Sequence, residues 1–325
     1  MHSTQMTQNS TVARSTSGQK VCPLCGYDRI LHFLNATDRF HLRPELYTLL
    51  RCSACSCVWL ADPPSPEEMP YHYSQDYHEV ITSAAEHKEG KRWEKHRAIV
   101  ARYKEQGAIL DIGCSSGSFL ASMDNGRWKK YGIEMDDATA ERARLSSGAE
   151  VFVGDVMNAP FLPESFDVIT AFDVVEHMYR PRMVLERALR WLRPGGIFFA
   201  RVPNIDSWEA KLFKTYWYGL ELPRHLYHFS VTSMKYLMTE LGVSEWSVTA
   251  TGLGNHVEPS VGYLYQQVLA RFGFSPLSMA KRRRANLPWR VVRKALRMGL
   301  TFPASRVASA ANAGVVIEVV FRKQN

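Results

Sequence analysis

From Ala108 onward the sequence alternates short apolar runs with amphipathic stretches of helical period, and this alternation constrains the fold most strongly. A parallel strand needs a long, usually helical, connection to reach its neighbour, so the pattern predicts βαβ units and an α/β fold. Strands are predicted over residues 108–112, 130–134, 150–153, 166–172, 197–202, 246–251 and 315–321. Helices are predicted over residues 89–105, 116–124, 136–147, 181–191 and 232–241.

A glycine-containing turn follows the first of these strands and opens a helix, in the order Asp111-Ile112-Gly113-Cys114-Ser115-Ser116-Gly117. Glycine allows sharp turns and close approach of a ligand to the backbone, and the following helix N-terminus favours a negatively charged group. The D-x-G-x-x-x-G spacing differs from the G-x-G-x-x-G that cradles a pyrophosphate. That difference disfavours a nicotinamide-dependent oxidoreductase.

Acidic residues follow the next two predicted strands. Glu134 ends the second strand, 21 positions after Gly113, where a carboxylate can accept hydrogen bonds from ribose hydroxyls. Asp155 follows the third strand in Gly154-Asp155-Val156 and would lie near an adenine amine. Together with the turn, both acids predict a nucleoside-cofactor site.

In this order the motifs resemble the class I S-adenosylmethionine-dependent methyltransferases, over about residues 98–323. The family's fourth strand is similar to Phe166-Asp167-Val168-Ile169. The stretch that follows it, beside the transferred methyl, is similar to Asp173-Val174-Val175-Glu176-His177. The turn before the family's fifth strand is similar to Leu192-Arg193-Pro194-Gly195-Gly196. The resemblance implies a Rossmann-like seven-stranded sheet of order 3-2-1-4-5-7-6, with the last strand antiparallel, and S-adenosylmethionine as cofactor. The cofactor pocket it implies is lined by Asp111, Gly113, Cys114, Gly117, Glu134, Asp155, Val156 and Phe172.

Two Cys-x-x-Cys pairs precede this region. In a reducing compartment such pairs bind metal more often than they form disulfides, and four thiolates complete a closed structural zinc site. We therefore predict a small zinc-ribbon-like domain over residues 21–66, with Zn²⁺ bound by Cys22, Cys25, Cys52 and Cys55. Cys57 is an alternative ligand. The alternative to a metal site is that the two pairs are unrelated buried cysteines.

The remaining divisions follow from composition. Residues 1–20 are rich in Ser, Thr and Gln and are predicted to be a disordered tail. Residues 67–97 are a predicted linker and lead-in helix, and residues 98–325 a methyltransferase domain with a helical basic insertion near 259–312. No uninterrupted apolar stretch reaches the ~18 residues of a membrane span, and with the cysteine usage this predicts a cytoplasmic protein.

A histidine-containing segment, Pro223-Arg224-His225-Leu226-Tyr227-His228-Phe229-Ser230, follows the fifth predicted strand. Histidine titrates near neutral pH and can take the proton that a hydroxyl acceptor loses. The segment resembles a loop of bacterial methyltransferases of sugar and polysaccharide biosynthesis. In those sugar C-methyltransferases that begin with a zinc domain, a Glu-His pair stands in place of Arg224-His225. The resemblance makes His225 the candidate base and implies a small-molecule or glycan acceptor, while the arginine disfavours carbon methylation.

His177 is the second candidate base, because it follows the fourth strand where an acceptor should bind. A purely structural histidine is the alternative at both positions. Tyr71, Tyr73 and Tyr77 either pack between the domains or cover the acceptor.

The net charge of +8 is concentrated in residues 281–300, where basic side chains alternate with apolar ones. This spacing suits a helix with one apolar and one cationic face, which would lie on an anionic membrane surface or pack on the sheet. A nucleic-acid groove is less favoured, because this stretch has one tryptophan and single-strand binders use several stacking aromatics. The leading prediction is methyl transfer to a hydroxyl, or less favourably a carbon, of a small or carbohydrate-like acceptor; a zinc-assisted methyltransferase of RNA or DNA is the alternative.

Overall fold

The structure, a computed structural model, describes residues 21–73, 89–252, 256–273 and 313–324. The predicted tail, Tyr77 and the basic stretch over 281–300 lie outside the described residues. Contact of that stretch with a membrane, and a cytoplasmic location, therefore stay predictions. Among the described helices none is long and apolar enough to cross a membrane.

The secondary structure begins with three short strands and continues as alternating strands and helices. The strands are β1 (Ile30–Thr37), β2 (Leu46–Cys52), β3 (Val58–Leu60), β4 (Gly107–Ile112), β5 (Trp128–Glu134), β6 (Glu150–Val153), β7 (Phe166–Phe172), β8 (Leu192–Pro203), β9 (Tyr227–His228), β10 (Glu245–Thr251) and β11 (Val316–Arg322). The helices are α1 (Glu89–Ala101), α2 (Ser118–Ala121), α3 (Asp137–Ser147), α4 (Pro181–Trp191), α5 (Trp208–Phe213), α6 (Val231–Glu240) and α7 (Val257–Arg271).

The larger sheet has seven strands in the order β6-β5-β4-β7-β8-β11-β10. Strands β4 to β8 are mutually parallel, and β11 is antiparallel to both of its neighbours. Renumbered within this sheet, the order is 3-2-1-4-5-7-6, so the predicted Rossmann-like methyltransferase fold is confirmed. Strands β4 and β7 are central and almost wholly buried, which explains their nearly continuous apolar sequences.

Some element ends differ from the prediction because local hydrogen bonds fix them. Helix α2 covers only Ser118–Ala121 instead of residues 116–124, since Gly117 before it has a φ of 78° and the Ser122 hydroxyl donates to the carbonyl of Phe119. Helix α3 starts after Asp136, whose carboxylate accepts from the N–H of Thr139. Strand β8 begins five residues before the predicted strand, because it pairs with β7 from Leu192 onward.

The smaller sheet is antiparallel and has the order β1-β2-β3-β9. Its first three strands belong to residues 21–73, which we call the N-terminal module. Its fourth strand, β9, comes from the histidine-containing segment and pairs Val58 with His228 and Trp59 with Tyr227. The small sheet therefore includes a piece of chain that the sequence places in the methyltransferase domain.

Candidate active site

The four cysteines predicted as metal ligands lie together in the N-terminal module. The sulfurs of Cys22 and Cys55 are 3.7 Å apart and those of Cys25 and Cys52 are 3.6 Å apart, and all four lie within 4.8 Å of one another. Four sulfurs at about 2.3 Å from a tetrahedral zinc are separated by about 3.8 Å, so the cluster fits that ion. Hydrogen bonding to the Cys55 thiol lowers the pKa of Cys22 to about 5, which favours a thiolate ligand.

Cys57 lies beside this cluster but outside it. Its thiol is completely buried and donates to the carbonyl of Val58 at 3.6 Å. Burial raises the pKa of Cys57 well above its ordinary value, but the pKa values of Cys25 and Cys55 are raised as well, so it is the position of the Cys57 sulfur that separates it from the other four. The geometry thus favours Cys22, Cys25, Cys52 and Cys55 as the ligand set.

The predicted glycine turn connects β4 to α2 and packs closely on two neighbours. Gly113 has a φ of 69°, and a Cβ there would come within 2.5 Å of Val174 Cγ2. A Cβ on Gly117 would meet the backbone of Ala143 in α3 at 2.9 Å. Both positions therefore require glycine, and the turn leads directly from the sheet edge into the helix.

Glu134 lies at the same edge and contacts this turn. Its carboxylate accepts hydrogen bonds from the N–H groups of Ser115, Met135 and Asp136 at 2.9, 2.9 and 3.1 Å. These donors hold a partly exposed carboxylate at the end of β5. Its position beside the turn suits hydrogen bonds from the two hydroxyls of a ribose.

The other predicted cofactor residues take different environments. Asp155 is exposed after β6 and caps the turn that contains the buried Val156, by accepting from the N–H of Met157. Asp111 and Cys114 are buried, and Asp111 accepts from the Thr170 hydroxyl at 2.6 Å. Phe172 is partly buried in an aromatic cluster with Trp93, His96, Phe119 and Phe199. Asp111, Cys114 and Phe172 are thus held in place at this edge of the sheet, and their contact with the cofactor stays a prediction.

Both candidate histidines lie beyond the end of β7, and their ring centroids are 4.6 Å apart. His225 is 4% exposed, and its Nδ1 lies 2.9 Å from the carbonyl oxygen of Gly219. Its Nε2 is 3.6 Å from Oε2 of Glu221 and 4.0 Å from Oε1 of Glu176. His225 is thus enclosed by the protein, and acids at positions 176 and 221 lie near it.

His177 is partly exposed and is held through one ring nitrogen only. Its Nδ1 lies 3.0 Å from the Tyr73 hydroxyl and 3.1 Å from the carbonyl oxygen of Arg224. Within the part of the chain that the structure describes, no residue hydrogen-bonds its Nε2. Of the three predicted tyrosines, Tyr73 therefore contacts the histidine cluster, whereas Tyr71 is exposed and stacks on Arg43.

Burial sets the protonation states in this cluster. It lowers the pKa of His177 and, more strongly, that of His225, so both rings are neutral at pH 7. Burial and the nearby charge of Asp173 raise the pKa of Glu176 well above its ordinary value, which favours the protonated acid. Glu176, His177 and His225 could also offer three ligand atoms to a metal ion.

Sequence reasoning did not find Arg201 or the role of Asp173. Asp173 has a φ of 57° just after β7, and both of its carboxylate oxygens are hydrogen-bonded by the guanidinium of Arg201 on β8. The ion pair thus links the residue after β7 to β8, close to Glu176 in the sequence. No sequence motif indicates it, since the two residues are 28 positions apart and become neighbours only through strand pairing.

The buried His228 gives a pH-dependent stability that can be measured. Burial lowers its pKa to about 4, so below pH 6.5 the unfolded chain takes up a proton that the folded protein excludes. The stabilisation is therefore full above pH 6.5 and is lost as pH falls toward 4. Relative to His228→Gln, the wild type should lose about 2 kcal/mol of unfolding free energy between pH 6.5 and 5, in urea titrations. Parallel pH profiles for the two proteins would refute this.

The sheet order, the glycine turn after β4 and the acids after β5 and β6 define a class I S-adenosylmethionine-dependent methyltransferase. The chain belongs to the family of proteins with a methyltransferase domain, whose profile matches residues 84–248. The protein is accordingly an enzyme that uses S-adenosylmethionine.

Relatives and solved structures agree with this assignment. The chain is 29% identical over 192 residues to a ubiquinone biosynthesis O-methyltransferase of Pseudomonas putida, covering 56% of this chain and 77% of that protein. The fold matches a SAM-dependent methyltransferase of Archaeoglobus fulgidus with a TM-score of 0.51 and 13% identity, over 76% of this chain and 100% of that one. It also matches a plantazolicin methyltransferase bound to a monoazolic desmethylPZN analogue and SAH, with a TM-score of 0.51 and 18% identity, over 80% and 94% of the two chains.

Proposed function

We propose that the enzyme methylates a hydroxyl of a small or carbohydrate-like acceptor and that His177 accepts the hydroxyl proton. The observation that carries the proposal is the asymmetric environment of the His177 ring. Its Nδ1 faces the backbone carbonyl of Arg224, which can only accept, and the Tyr73 hydroxyl, which can accept as well, so we place the proton of the neutral ring on Nδ1. Nε2 is then the basic nitrogen of a partly exposed ring.

His225 supports this arrangement in the proposed mechanism. The predicted base is His225, whose Nδ1 likewise faces a carbonyl, that of Gly219, but its ring is almost completely enclosed whereas that of His177 is partly exposed. We therefore assign proton transfer to His177 and assign His225 to the packing of its neighbour. The resemblance to sugar methyltransferases supports a carbohydrate-like acceptor, and the ubiquinone-pathway relative supports an aromatic hydroxyl as the second class to test.

The residues at the sheet edge fit the cofactor that the fold implies. Glu134, Asp155 and the turn over residues 111–117 would hold S-adenosylmethionine, which supplies an electrophilic methyl group when bound. The acceptor oxygen would receive this methyl group, with S-adenosylhomocysteine as the leaving group, and His177 would take the hydroxyl proton on Nε2. The main demand on the protein is therefore alignment.

We further propose that the four-cysteine cluster binds one structural Zn²⁺. A closed set of four thiolates leaves no open position for a substrate, so the ion would stabilise the N-terminal module.

A methylation assay tests the function. Purified enzyme is incubated with S-adenosylmethionine and one acceptor class at a time: nucleotide-linked sugars, free sugars, phenols or transfer RNA. S-adenosylhomocysteine release with a sugar or phenol, lost in His177→Ala, supports the proposal. Release only with RNA, together with nucleic acid co-purifying by the 260 to 280 nm absorbance ratio, supports the alternative.

Glu134 gives a direct test of the cofactor site. Glu134→Ala should weaken S-adenosylmethionine binding by roughly 1–3 kcal/mol in isothermal titration, the scale of a lost charged hydrogen bond. Glu150→Ala is the matched control. Glu150 is exposed at the start of β6, away from the sheet edge where Glu134 lies, so its replacement should leave the affinity for S-adenosylmethionine unchanged. Equal affinities for all three proteins, or binding of NADH in place of S-adenosylmethionine, would contradict the assignment.

A further inference from the structure

A buried ion pair joins the N-terminal module to the segment that carries His225. Nη1 of Arg224 lies 3.4 Å from Oδ2 of Asp38, and neither side chain is exposed to solvent. The same Nη1 donates to the carbonyl of His72 at 3.2 Å. Burying a charge is costly unless it is paired and hydrogen-bonded, so loss of either partner would weaken the compensation of the other charge, although Arg224 also has Glu221 at 3.5 Å and Asp38 also has His41 at 2.8 Å.

Asp38 is firmly placed within the N-terminal module. Its carboxylate accepts from the N–H groups of Phe40 and His41 at 3.0 and 3.2 Å, and it lies 2.8 Å from Nδ1 of His41. Burial opposes ionisation of Asp38, but the hydrogen bond with His41 and the charge of Arg224 outweigh it, and the pKa is lowered. Asp38 is therefore a negative charge held in a fixed position, and Arg224 forms an ion pair with it.

The backbone of Arg224 contacts the proposed base. Its carbonyl oxygen is the acceptor 3.1 Å from Nδ1 of His177, and the next residue is His225. After His225, the N–H of Leu226 donates to the carbonyl of Glu176 at 2.9 Å. The side chain of Arg224 thus contacts the N-terminal module, while its backbone carbonyl contacts Nδ1 of His177.

We propose that the Arg224–Asp38 pair is a positioning device that fixes the tautomer and the orientation of His177, an inference that rests on the proposed function. The anchored carbonyl holds the His177 proton on Nδ1 and so keeps Nε2 unprotonated. The Arg224 side chain turns into the N-terminal module, and its Nε lies 3.5 Å from Oε1 of Glu221, whose other oxygen is 3.6 Å from Nε2 of His225.

Kinetics of the variants Asp38→Asn, Arg224→Met and the double variant test the device. Each single change should lower kcat about 10- to 100-fold with little change in acceptor KM or cofactor affinity, because a small displacement of a reacting group costs that much. The double variant should be no worse than the poorer single variant, since the two changes disrupt one device. It also removes both charges of the Arg224–Asp38 pair, although Glu221 then loses an ion-pair partner, and it keeps the test open where a single variant fails to fold.

The tautomer gives a readout that general destabilisation would not change. In protein labelled with ¹⁵N-histidine, long-range proton–nitrogen spectra should show His177 with its proton on Nδ1, assigned by loss of the signal in His177→Gln. In Arg224→Met and in the double variant the proton should shift toward Nε2, and Arg224→Lys should restore part of the wild-type signal and rate.

Asp206→Asn is the matched control. It removes another ion pair between the N-terminal module and the sheet domain, Arg51 Nη2 to Asp206 Oδ2 at 2.9 Å, which is partly exposed and distant in sequence from both histidines. It should leave kcat and the tautomer unchanged. An unchanged His177 tautomer in folded Arg224→Met, or additive losses of kcat, would overturn the inference. Full activity of His177→Ala would instead overturn the proposed base, while the tautomer measurement still reports on the ion pair.

Discussion

Replacing His177 with alanine should lower turnover about 10²- to 10⁴-fold while cofactor affinity stays nearly unchanged, which is the usual contribution of a general base. The loss is expected because Nε2 of His177 belongs to a partly exposed ring and is hydrogen-bonded by no residue that the structure describes. Cofactor binding should persist, because the turn after β4 and Glu134 do not involve His177. Steady-state kinetics with the acceptor found in the assay, and isothermal titration with S-adenosylmethionine, measure the two quantities.

His225→Ala is the internal comparison for this prediction. His225 is more deeply enclosed, so its removal should cost less turnover than removal of His177. A larger loss in His225→Ala would return the role of base to His225. Activity that depended on an added divalent cation would assign Glu176, His177 and His225 to a metal site instead.

Cys52→Ser should remove the metal and unfold the N-terminal module. Elemental analysis should find about one zinc per wild-type chain and much less in the variant, because a structural zinc site contributes about 10–16 kcal/mol to folding in small peptides. Turnover should fall together with the zinc content. In the variant, β9 would lose its partner strand β3, and Arg224 would lose its ion-pair partner Asp38. Isothermal titration should still show S-adenosylmethionine binding, because β4 to β6 lie in the other sheet.

Cys57→Ser is the control for the ligand set. Its thiol bonds the Val58 carbonyl and lies outside the cluster, so the variant should keep its zinc. If Cys57→Ser lost the metal while Cys55→Ser kept it, the assigned ligands would be wrong.

The sequence determined the larger sheet and located the turn and the acids at its edge that we propose as the cofactor site. The bounds of β6, β7 and α4 agree with the prediction residue for residue. Apolar runs and helical periods are short-range signals that buried strands and amphipathic helices impose on the chain, so they can be detected without a structure. The glycine turn and Glu134 were found for a related reason, because their chemistry is tied to the ends of such strands. Cysteine spacing likewise predicted a four-thiol cluster, since two tight turns provide the ligands.

Only the tertiary structure decided how the histidines are held. Arg224 and Asp38 are 186 positions apart, and Tyr73 and His177 are 104 apart. Such contacts leave no periodic trace, and a two-residue strand such as β9 is too short for a pattern to reveal. Whether a histidine is enclosed or accessible depends on every element packed around it, so the sequence could name both candidates but could not compare their burial. The fold encloses His225 and leaves His177 partly exposed, with the carbonyl of Arg224, 47 positions away in sequence, on its Nδ1.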